Sequence, residues 1–192
     1  MSEKKLTVIN VSARHLHLSQ EHVEALFGPG YELTRLKDLM QPGEFASNEQ
    51  VAVIGPKGTF AKVRVLGPAR RNTQIELSAT DARSIGVAAP VRMSGKIEGT
   101  PGVILEGPKG RVELTNGVIL AARHIHMTPA DAEQYGVADN QVVRVKTAGT
   151  RPLTFDDVIC RVHPNFALEM HVDTDEANAA GLKDGDMGEI LD

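Results

Sequence analysis

The sequence predicts a mainly β fold with short α-helices, and three observations indicate this class. The 192 residues include 18 glycines and ten prolines but no tryptophan and only 4% aromatic residues, which is typical of short strands joined by tight turns. The turn sequence GPKG occurs at residues 55–58 and 107–110, each time between segments of alternating polarity. Segments with a helix cap, an acidic residue and a later glycine recur along the chain.

The predicted elements begin with a strand at residues 6–11 and a helix at 19–27 that is capped by Ser19. The cap is partial, because a histidine stands where a capping box would have Glu or Gln. Strands at residues 51–54 and 60–66 are predicted to form a hairpin around the first GPKG turn. The second turn separates GVIL from RVEL and predicts another hairpin.

An internal repeat explains the later elements. Three segments share an acidic residue five positions after the first residue and a glycine ten positions after it: ELSATDARSIGV from Glu76, HMTPADAEQYGV from His126 and HVDTDEANAAGL from His171. HLSQEHVEALFG, from His17, is a weaker fourth copy. Each copy predicts a strand end, an N-cap, a short helix and a glycine stop, and strands are predicted to follow at residues 141–146 and 186–191.

Such modules are common in small barrels without any function, but each copy opens with a residue type that binds metal. The chain also contains RHLH and RHIH, and residues two apart on a strand point to the same side, so each motif projects a histidine pair. The candidate ligands are His15, His17, Glu76, His124, His126 and His171. Because one tetrahedral zinc takes four ligands at most, six donors predict two metals with room for substrate. Cobalt, iron or nickel would accept the same donors.

Two kinds of arginine accompany these motifs. Arg14 and Arg123 precede the histidine pairs, and strand alternation sends them to the opposite face, where they are expected to brace carboxylates or carbonyls. Arg70 and Arg71 follow a Gly-Pro turn shortly before Glu76. A guanidinium fixed near a metal suits phosphate or a developing oxyanion, although a solvated surface pair is an equal alternative from the residues alone.

Composition excludes several classes of function. The formal net charge is −4 with scattered basic residues, which gives no case for nucleic-acid binding. No apolar run is long enough to span a membrane, and no P-loop or dinucleotide fingerprint is present. The lone Cys160 fits a reducing compartment, so a cytoplasmic protein is expected.

The motifs VSARHLHLS, GPARRNTQIELS, AARHIHMTP and HVDTDEANAAG occur in order along nearly the whole chain, which therefore resembles the PduL-type phosphotransacylases, also called phosphate propanoyltransferases. The resemblance implies two small β-barrel domains capped by short helices, with the active site at their interface. One domain comprises residues 1–13 and 122–192, and the other comprises residues 14–121. The resemblance also implies two zinc ions, held by His15, His17 and Glu76 and by His124, His126 and His171.

By the same resemblance, the enzyme transfers a propanoyl or acetyl group reversibly between coenzyme A and inorganic phosphate. Arg70 would be the essential arginine. The CoA site would include Lys37, Arg64, Leu66, His171 and Asn178. A homo-oligomer, a dimer or larger, is implied. Members inside bacterial microcompartments usually carry an amino-terminal targeting extension, and since only about ten residues precede the first motif, a microcompartment lumen is a less favoured expectation than the cytoplasm.

Two other functions remain open from the residues. A two-metal hydrolase would attack a thioester or phosphoester with metal-bound hydroxide and would need no phosphate. A non-catalytic, metal-stabilised binding module would respond to chelation in its folding alone.

Overall fold

The computed structural model describes residues 4–191, which form mainly strands with four short helices. The strands are β1 (Leu6–Ser12), β2 (His15–His17), β3 (Arg35–Asp38), β4 (Phe45–Ile54), β5 (Thr59–Gly67), β6 (Gln74–Glu76), β7 (Val91–Arg92), β8 (Ile104–Glu106), β9 (Arg111–Glu113), β10 (Val118–Ala121), β11 (His124–Met127), β12 (Val142–Thr147), β13 (Thr154–Val162), β14 (Glu169–Asp173) and β15 (Asp186–Leu191). The helices are α1 (Gln20–Phe27), α2 (Ala79–Ile85), α3 (Pro129–Tyr135) and α4 (Thr174–Ala180). The mainly β class is confirmed.

The helix caps confirm the predicted repeat. Four side chains, Ser19, Ser78, Thr128 and Asp173, accept a hydrogen bond from the third backbone N–H of their helix. The glycines that end α2, α3 and α4 have φ of 78°, 63° and 67°, the left-handed conformation in which a glycine has no Cβ penalty. The weaker copy differs at its end, because Gly28 after α1 has φ 117° and ψ 157°.

The chain divides into two compact units. We name residues 4–12, 40–42 and 122–191 the terminal unit, and residues 13–39 and 43–121 the central unit. In the terminal unit, six strands close a barrel in the order β1-β14-β11-β13-β12-β15. Ile9, Ile125 and Met170 are fully buried in its core, so the first strand of the chain belongs to the barrel built from the carboxy-terminal third.

The central unit contains a nine-stranded sheet that curls as a half-barrel. Its order is β7-β10-β6-β2-β5-β4-β8-β9, with β3 paired to β4. Both predicted hairpins are present, and each GPKG turn is closed by a 2.9 Å backbone hydrogen bond, from Gly55 to Gly58 and from Gly107 to Gly110. Within the described residues, no helix has the length and apolar character needed to cross a membrane.

Candidate metal centres

The first histidine pair lies on β2, in the middle of the central sheet. β2 pairs parallel with β5 and antiparallel with β6, and this register sets His15 opposite Glu76. Leu16 is fully buried in the core, so alternation turns His15 and His17 to the other side of the strand. One potential ligand atom from each of His15, His17 and Glu76 lies within 4.8 Å of the others, which makes this set a candidate metal centre, the central cluster.

The second pair has the same setting in the terminal unit. β11 pairs parallel with β13 and antiparallel with β14, which sets His124 opposite His171. Ile125 is fully buried between the two histidines of its motif. His124, His126 and His171 bring their ligand atoms within 4.8 Å of one another and form the terminal cluster. The six predicted ligands are therefore assembled as two groups of three.

Hydrogen bonds orient the first histidine of each pair in the same way. His15 Nδ1 lies 2.9 Å from the carbonyl oxygen of Ala13, and His124 Nδ1 lies 2.8 Å from that of Ala122. A carbonyl can only accept, so Nδ1 carries the proton and Nε2 presents its lone pair. His15 Nε2 lies 3.6 Å from Glu76 Oε2, and His124 Nε2 lies 3.2 Å from His171 Nδ1. Both lone pairs thus face the third ligand residue of their cluster.

The environment of His17 suits a metal ligand. Burial, with the nearby His15 and Arg70 adding repulsion, holds the pKa of His17 well below its ordinary value. The ring is therefore neutral, as a metal ligand must be. His17 Nδ1 is buried and has no hydrogen-bond partner among residues 4–191, a costly arrangement that a bound cation would relieve. The donors of the central cluster therefore fit a metal such as zinc.

Both arginines that precede the histidine pairs brace a helix. Arg14 donates two hydrogen bonds, of 2.9 and 2.8 Å, to the Asp81 carboxylate near the start of α2. Arg123 donates one, of 3.2 Å, to Glu176 near the start of α4. The guanidinium carbon of Arg14 also lies 4.4 Å from the centre of the Phe60 ring. These contacts place both arginines in supporting roles behind the histidines.

Arg70 lies beside the central cluster. Its Nη2 donates to Glu44 Oε1 at 2.6 Å, and its Nη1 lies 3.5 Å from Ser94 Oγ. Ser94 Oγ in turn donates to Glu76 Oε1 at 3.3 Å, so a single serine separates the guanidinium from a candidate ligand. About a third of the Arg70 side chain is exposed, which leaves it accessible to an anion. Its neighbour Arg71 is exposed.

Three of the residues predicted to bind CoA lie on the same sheet as the central cluster. Arg64 stands opposite His15 in the register of β5 and β2, and its Nη1 donates to the carbonyl of Ser47 at 2.8 Å. Leu66 follows two residues later on the same strand, and both Leu66 and Lys37 lie opposite Ala46 on β4. Residues in register share a face of the sheet, so Arg64, Leu66 and Lys37 are on the face that carries the histidines. His171 belongs to the terminal cluster, and Asn178 is exposed on α4.

Sequence reasoning missed four polar residues that support these sites: Glu44, Gln74, Ser94 and Glu169. Gln74 Nε2 donates to Glu76 Oε1 at 2.6 Å and to Ser94 Oγ at 2.9 Å. The Oε1 atom of Glu169 lies 3.0 Å from His171 Nε2. Burial alone would raise the pKa of Glu169, but hydrogen bonds from His171 and from two amide side chains outweigh it and lower that pKa, so the carboxylate is ionised. The only available signal was that Gln74 and Glu169 each precede a predicted ligand by two residues.

Cys160 has no part in either cluster. It is fully buried in the terminal core, and burial, with a contribution from Asp139, raises the pKa of its thiol to about 11. Such a thiol is a poor nucleophile at neutral pH.

Comparison with known proteins identifies close relatives. A family model described as phosphate propanoyltransferase matches residues 8–183. The phosphate propanoyltransferase of Thermotoga maritima is 56% identical over 186 residues, which cover 96% of this chain and 89% of the relative. The corresponding protein of Priestia megaterium is 57% identical over 178 residues, covering 93% of this chain and 82% of the relative. That of Listeria monocytogenes is 52% identical over 183 residues, covering 95% and 86%.

Proposed function

This chain belongs to the phosphate propanoyltransferase family, and from this premise we propose that it transfers a short acyl group, propanoyl or acetyl, reversibly between coenzyme A and inorganic phosphate. Acyl-CoA and phosphate give acyl phosphate and free CoA, so the enzyme is an acyltransferase. The observation that carries the proposal is the pair of three-donor clusters at equivalent strand positions, one of which has an anchored arginine beside it.

The proposed cofactor is zinc, with one ion for each cluster. His15, His17 and Glu76 would hold one ion, and His124, His126 and His171 the other. Three protein ligands at each ion would leave room for substrate to bind. When bound, zinc supplies Lewis acidity that stabilises the CoA thiolate as a leaving group and helps to hold phosphate. Cobalt, iron and nickel accept the same donors, so metal analysis must identify the ion.

Arg70 is proposed to hold phosphate and to stabilise the oxyanion that forms when the thioester carbonyl is attacked. Its hydrogen bonds to Glu44 and Ser94 restrain the guanidinium and leave further N–H donors for an anion. Donors fixed in advance cost no reorganisation during the reaction, and the loss of one commonly costs on the order of 3 to 4 kcal/mol of activation free energy.

The reaction balances without a separate acid or base from the chain. An oxygen of hydrogen phosphate attacks the thioester carbonyl carbon and forms the new C–O bond. The C–S bond breaks, and its electron pair leaves with the CoA sulfur as a thiolate. The proton that hydrogen phosphate carried is transferred to the thiolate, which gives the free thiol of CoA. The chain has to orient an oxygen of phosphate towards the thioester carbonyl carbon, which agrees with a site built from histidines and arginine rather than from a nucleophile.

The CoA moiety is proposed to lie along the face that carries the central histidines. Lys37 and Arg64 are cations suited to the phosphate groups of CoA, and Leu66 offers apolar contact beside them. His171 and Asn178 complete the proposed contacts. The shared face of Lys37, Arg64 and Leu66 supports this assignment.

The decisive experiment measures CoA release from acetyl-CoA and propanoyl-CoA by the purified protein, with and without phosphate, together with metal analysis of the same sample. We expect phosphate-dependent release, formation of acyl phosphate and two zinc ions per chain. Release of CoA without phosphate would instead indicate the two-metal hydrolase. Absence of turnover with either substrate in the metal-loaded protein would reject an acyl transfer function.

The chain is also proposed to form a homo-oligomer and to act in the cytoplasm. β3 is exposed at all four residues, and exposed edge strands favour association with another chain. Static light scattering on the purified protein checks the first proposal. The buried, reduced Cys160 agrees with a reducing compartment, and fractionation of cells that express the protein checks the second.

A further inference from the structure

We propose that Glu169 is a positioning residue of the terminal cluster, which fixes the tautomer and the orientation of His171 for metal binding. The inference rests on the proposed function, because it assumes that His124, His126 and His171 hold a metal. It adds that a buried carboxylate and two amide side chains from distant parts of the chain form an outer layer of this site.

The Glu169 carboxylate is buried and its two oxygens are held by different donors. Only 3% of the residue is exposed. Oε1 accepts from Asn10 Nδ2 at 2.6 Å and lies 3.0 Å from His171 Nε2, while Oε2 accepts from Gln41 Nε2 at 2.5 Å. A buried charge is costly unless it is paired and hydrogen-bonded, and the three contacts of the Glu169 carboxylate meet this requirement.

Gln41 cannot exchange its donor for its acceptor at this position. Its Nε2 donates to the carbonyl of Ala167 at 3.0 Å, and its Oε1 accepts from the backbone N–H of Ala167 at 3.1 Å. Both ends of the amide are thus fixed by one residue of the terminal unit. The NH₂ group therefore points at Glu169 in a single orientation and holds Oε2 in place.

The fixed carboxylate determines which nitrogen of His171 can bind a metal. Because the carboxylate is an acceptor, the His171 ring donates from Nε2 and keeps its lone pair on Nδ1. Nδ1 lies 3.2 Å from His124 Nε2, the atom that the Ala122 carbonyl leaves with a lone pair. Two lone pairs thus face one point. A carboxylate that accepts the second N–H of a ligating histidine also makes the ring a stronger ligand.

The test substitutes Glu169→Gln in the full-length, metal-loaded protein. An amide in place of the carboxylate sets an NH₂ group against the NH₂ of either Asn10 or Gln41, so the contact with His171 is weakened. We expect the affinity for one of the two zinc ions to fall by about 10- to 100-fold, measured by competition with a chromophoric chelator, while the other ion is held as before. The matched control is Glu49→Gln, because Glu49 is a buried carboxylate that is hydrogen-bonded by Tyr31 and Thr34, outside both clusters.

A second readout separates positioning from a general effect on folding. Long-range ¹H–¹⁵N spectra of the zinc-loaded protein report which nitrogen of His171 is protonated, and we expect Nε2–H in the wild type and in E49Q. Loss of this Nε2–H pattern in E169Q, in a protein with an unchanged circular dichroism spectrum, supports the inference. If E169Q does not fold, Gln41→Met removes the donor to Oε2 and should lower the same zinc affinity by a smaller factor.

The outcomes distinguish this inference from the proposed function. Two zinc ions bound with wild-type affinity by folded E169Q, or an unchanged affinity in Q41M when E169Q cannot be obtained, would overturn the role of Glu169 and leave the two-zinc proposal intact. A wild-type protein that binds no metal would overturn the two-zinc proposal, and the role of Glu169 with it.

Discussion

The central and terminal clusters have the same arrangement of neighbouring strands, but their carboxylate occupies a different position in each. In each, a His-X-His strand lies between one parallel and one antiparallel neighbour, and the third donor stands opposite the first histidine. That donor is Glu76 in the central cluster and His171 in the terminal one. Two residues earlier on the same strand, the central unit has Gln74 and the terminal unit has Glu169. The carboxylate therefore stands at positions that differ by two residues, as a candidate ligand in the central unit and as the hydrogen-bond partner of a candidate ligand in the terminal unit.

This difference indicates that the repeat preserves the arrangement of the strands rather than the residue type of the third donor. In the central unit the amide of Gln74 donates to the candidate ligand Glu76 at 2.6 Å, and in the terminal unit the carboxylate of Glu169 accepts from the N–H of the candidate ligand His171. The donor and acceptor roles are exchanged. Each cluster therefore has one carboxylate, as one of the three donors in the central cluster and as the partner of a donor in the terminal cluster, which would offset part of the charge of a divalent ion.

The two units also differ at the loop that follows the parallel neighbour. The backbone N–H of Arg70 donates to Leu18 at 2.8 Å, and the corresponding bond in the terminal unit runs from His163 to Met127 at 3.0 Å. At this loop position the central unit has Arg70 and the terminal unit has His163, whereas the arginine beside the terminal cluster is Arg161 on β13, whose Nη1 lies 3.4 Å from His126 Nε2.

The largest expected effect comes from a matched pair of ligand variants, His15→Ala and His124→Ala. Each should reduce the zinc content from two ions to one per chain and abolish measurable acyl phosphate formation, because each removes one of only three protein ligands. Metal analysis and the CoA release assay check both variants. If one substitution removed both ions, the two clusters would not be separate sites. Retention of two ions would show that the assigned histidine is no ligand.

The next effect is expected at Arg70, which lies beside the central cluster. Arg70→Ala should keep both zinc ions and lower kcat by about 100- to 1,000-fold, since a prearranged donor to the oxyanion is lost. Arg71→Ala, at the exposed neighbouring position, is the control and should retain turnover. Near-normal acyl phosphate formation by R70A would remove Arg70 from the mechanism.

Substitution of Arg14 and of Arg123 compares how much each arginine stabilises its unit. Arg14→Ala should lower the free energy of unfolding by about 1.5 kcal/mol, the lower end for hydrogen bonds to charged groups, because the Arg14 side chain is partly exposed. Arg123→Ala should cost less, because Arg123 makes a single and longer bond to Glu176. Urea unfolding measures both values, and a greater loss for R123A would contradict the ranking.

The sequence predicted local features well, and long-range ones poorly. Caps, glycine stops and histidine pairs are set by neighbours within a few residues, so Ser78, Gly86 and the candidate ligands of both clusters could be predicted without a structure. The partners of Glu169 could not, because Gln41 lies 128 positions away and is brought there only by the fold. The same holds for Arg14 and Asp81, which are 67 positions apart.

The contribution of Glu49 to the stability of the fold is expected to depend on pH. Burial would raise the pKa of Glu49, but hydrogen bonds from Thr34 and Tyr31 outweigh it and hold that pKa below its ordinary value of 4.5. The carboxylate therefore stabilises the fold above that value, and this contribution is lost as the pH falls through the lower folded-state pKa. Glu49→Gln should destabilise the protein at neutral pH, and the difference from wild type should shrink in acid. Urea unfolding across this range checks the trend, and a constant difference would contradict it.

The smallest effect is expected at a buried position where the two units have different apolar residues. Cys160 stands opposite Ile125 in the terminal unit, and Val65 stands opposite Leu16 at the matching position of the central unit. All four are fully buried. Cys160→Val makes the two units alike at this point, and a swap of similar volume should change the free energy of unfolding by less than about 1.5 kcal/mol. Zinc content and turnover should be retained, because the thiol faces the core, opposite to the side that carries the histidines. Loss of zinc content or of turnover in a folded C160V would mean that the arrangement of the terminal cluster depends on this sulfur. The two units would then be less equivalent than their strand register indicates.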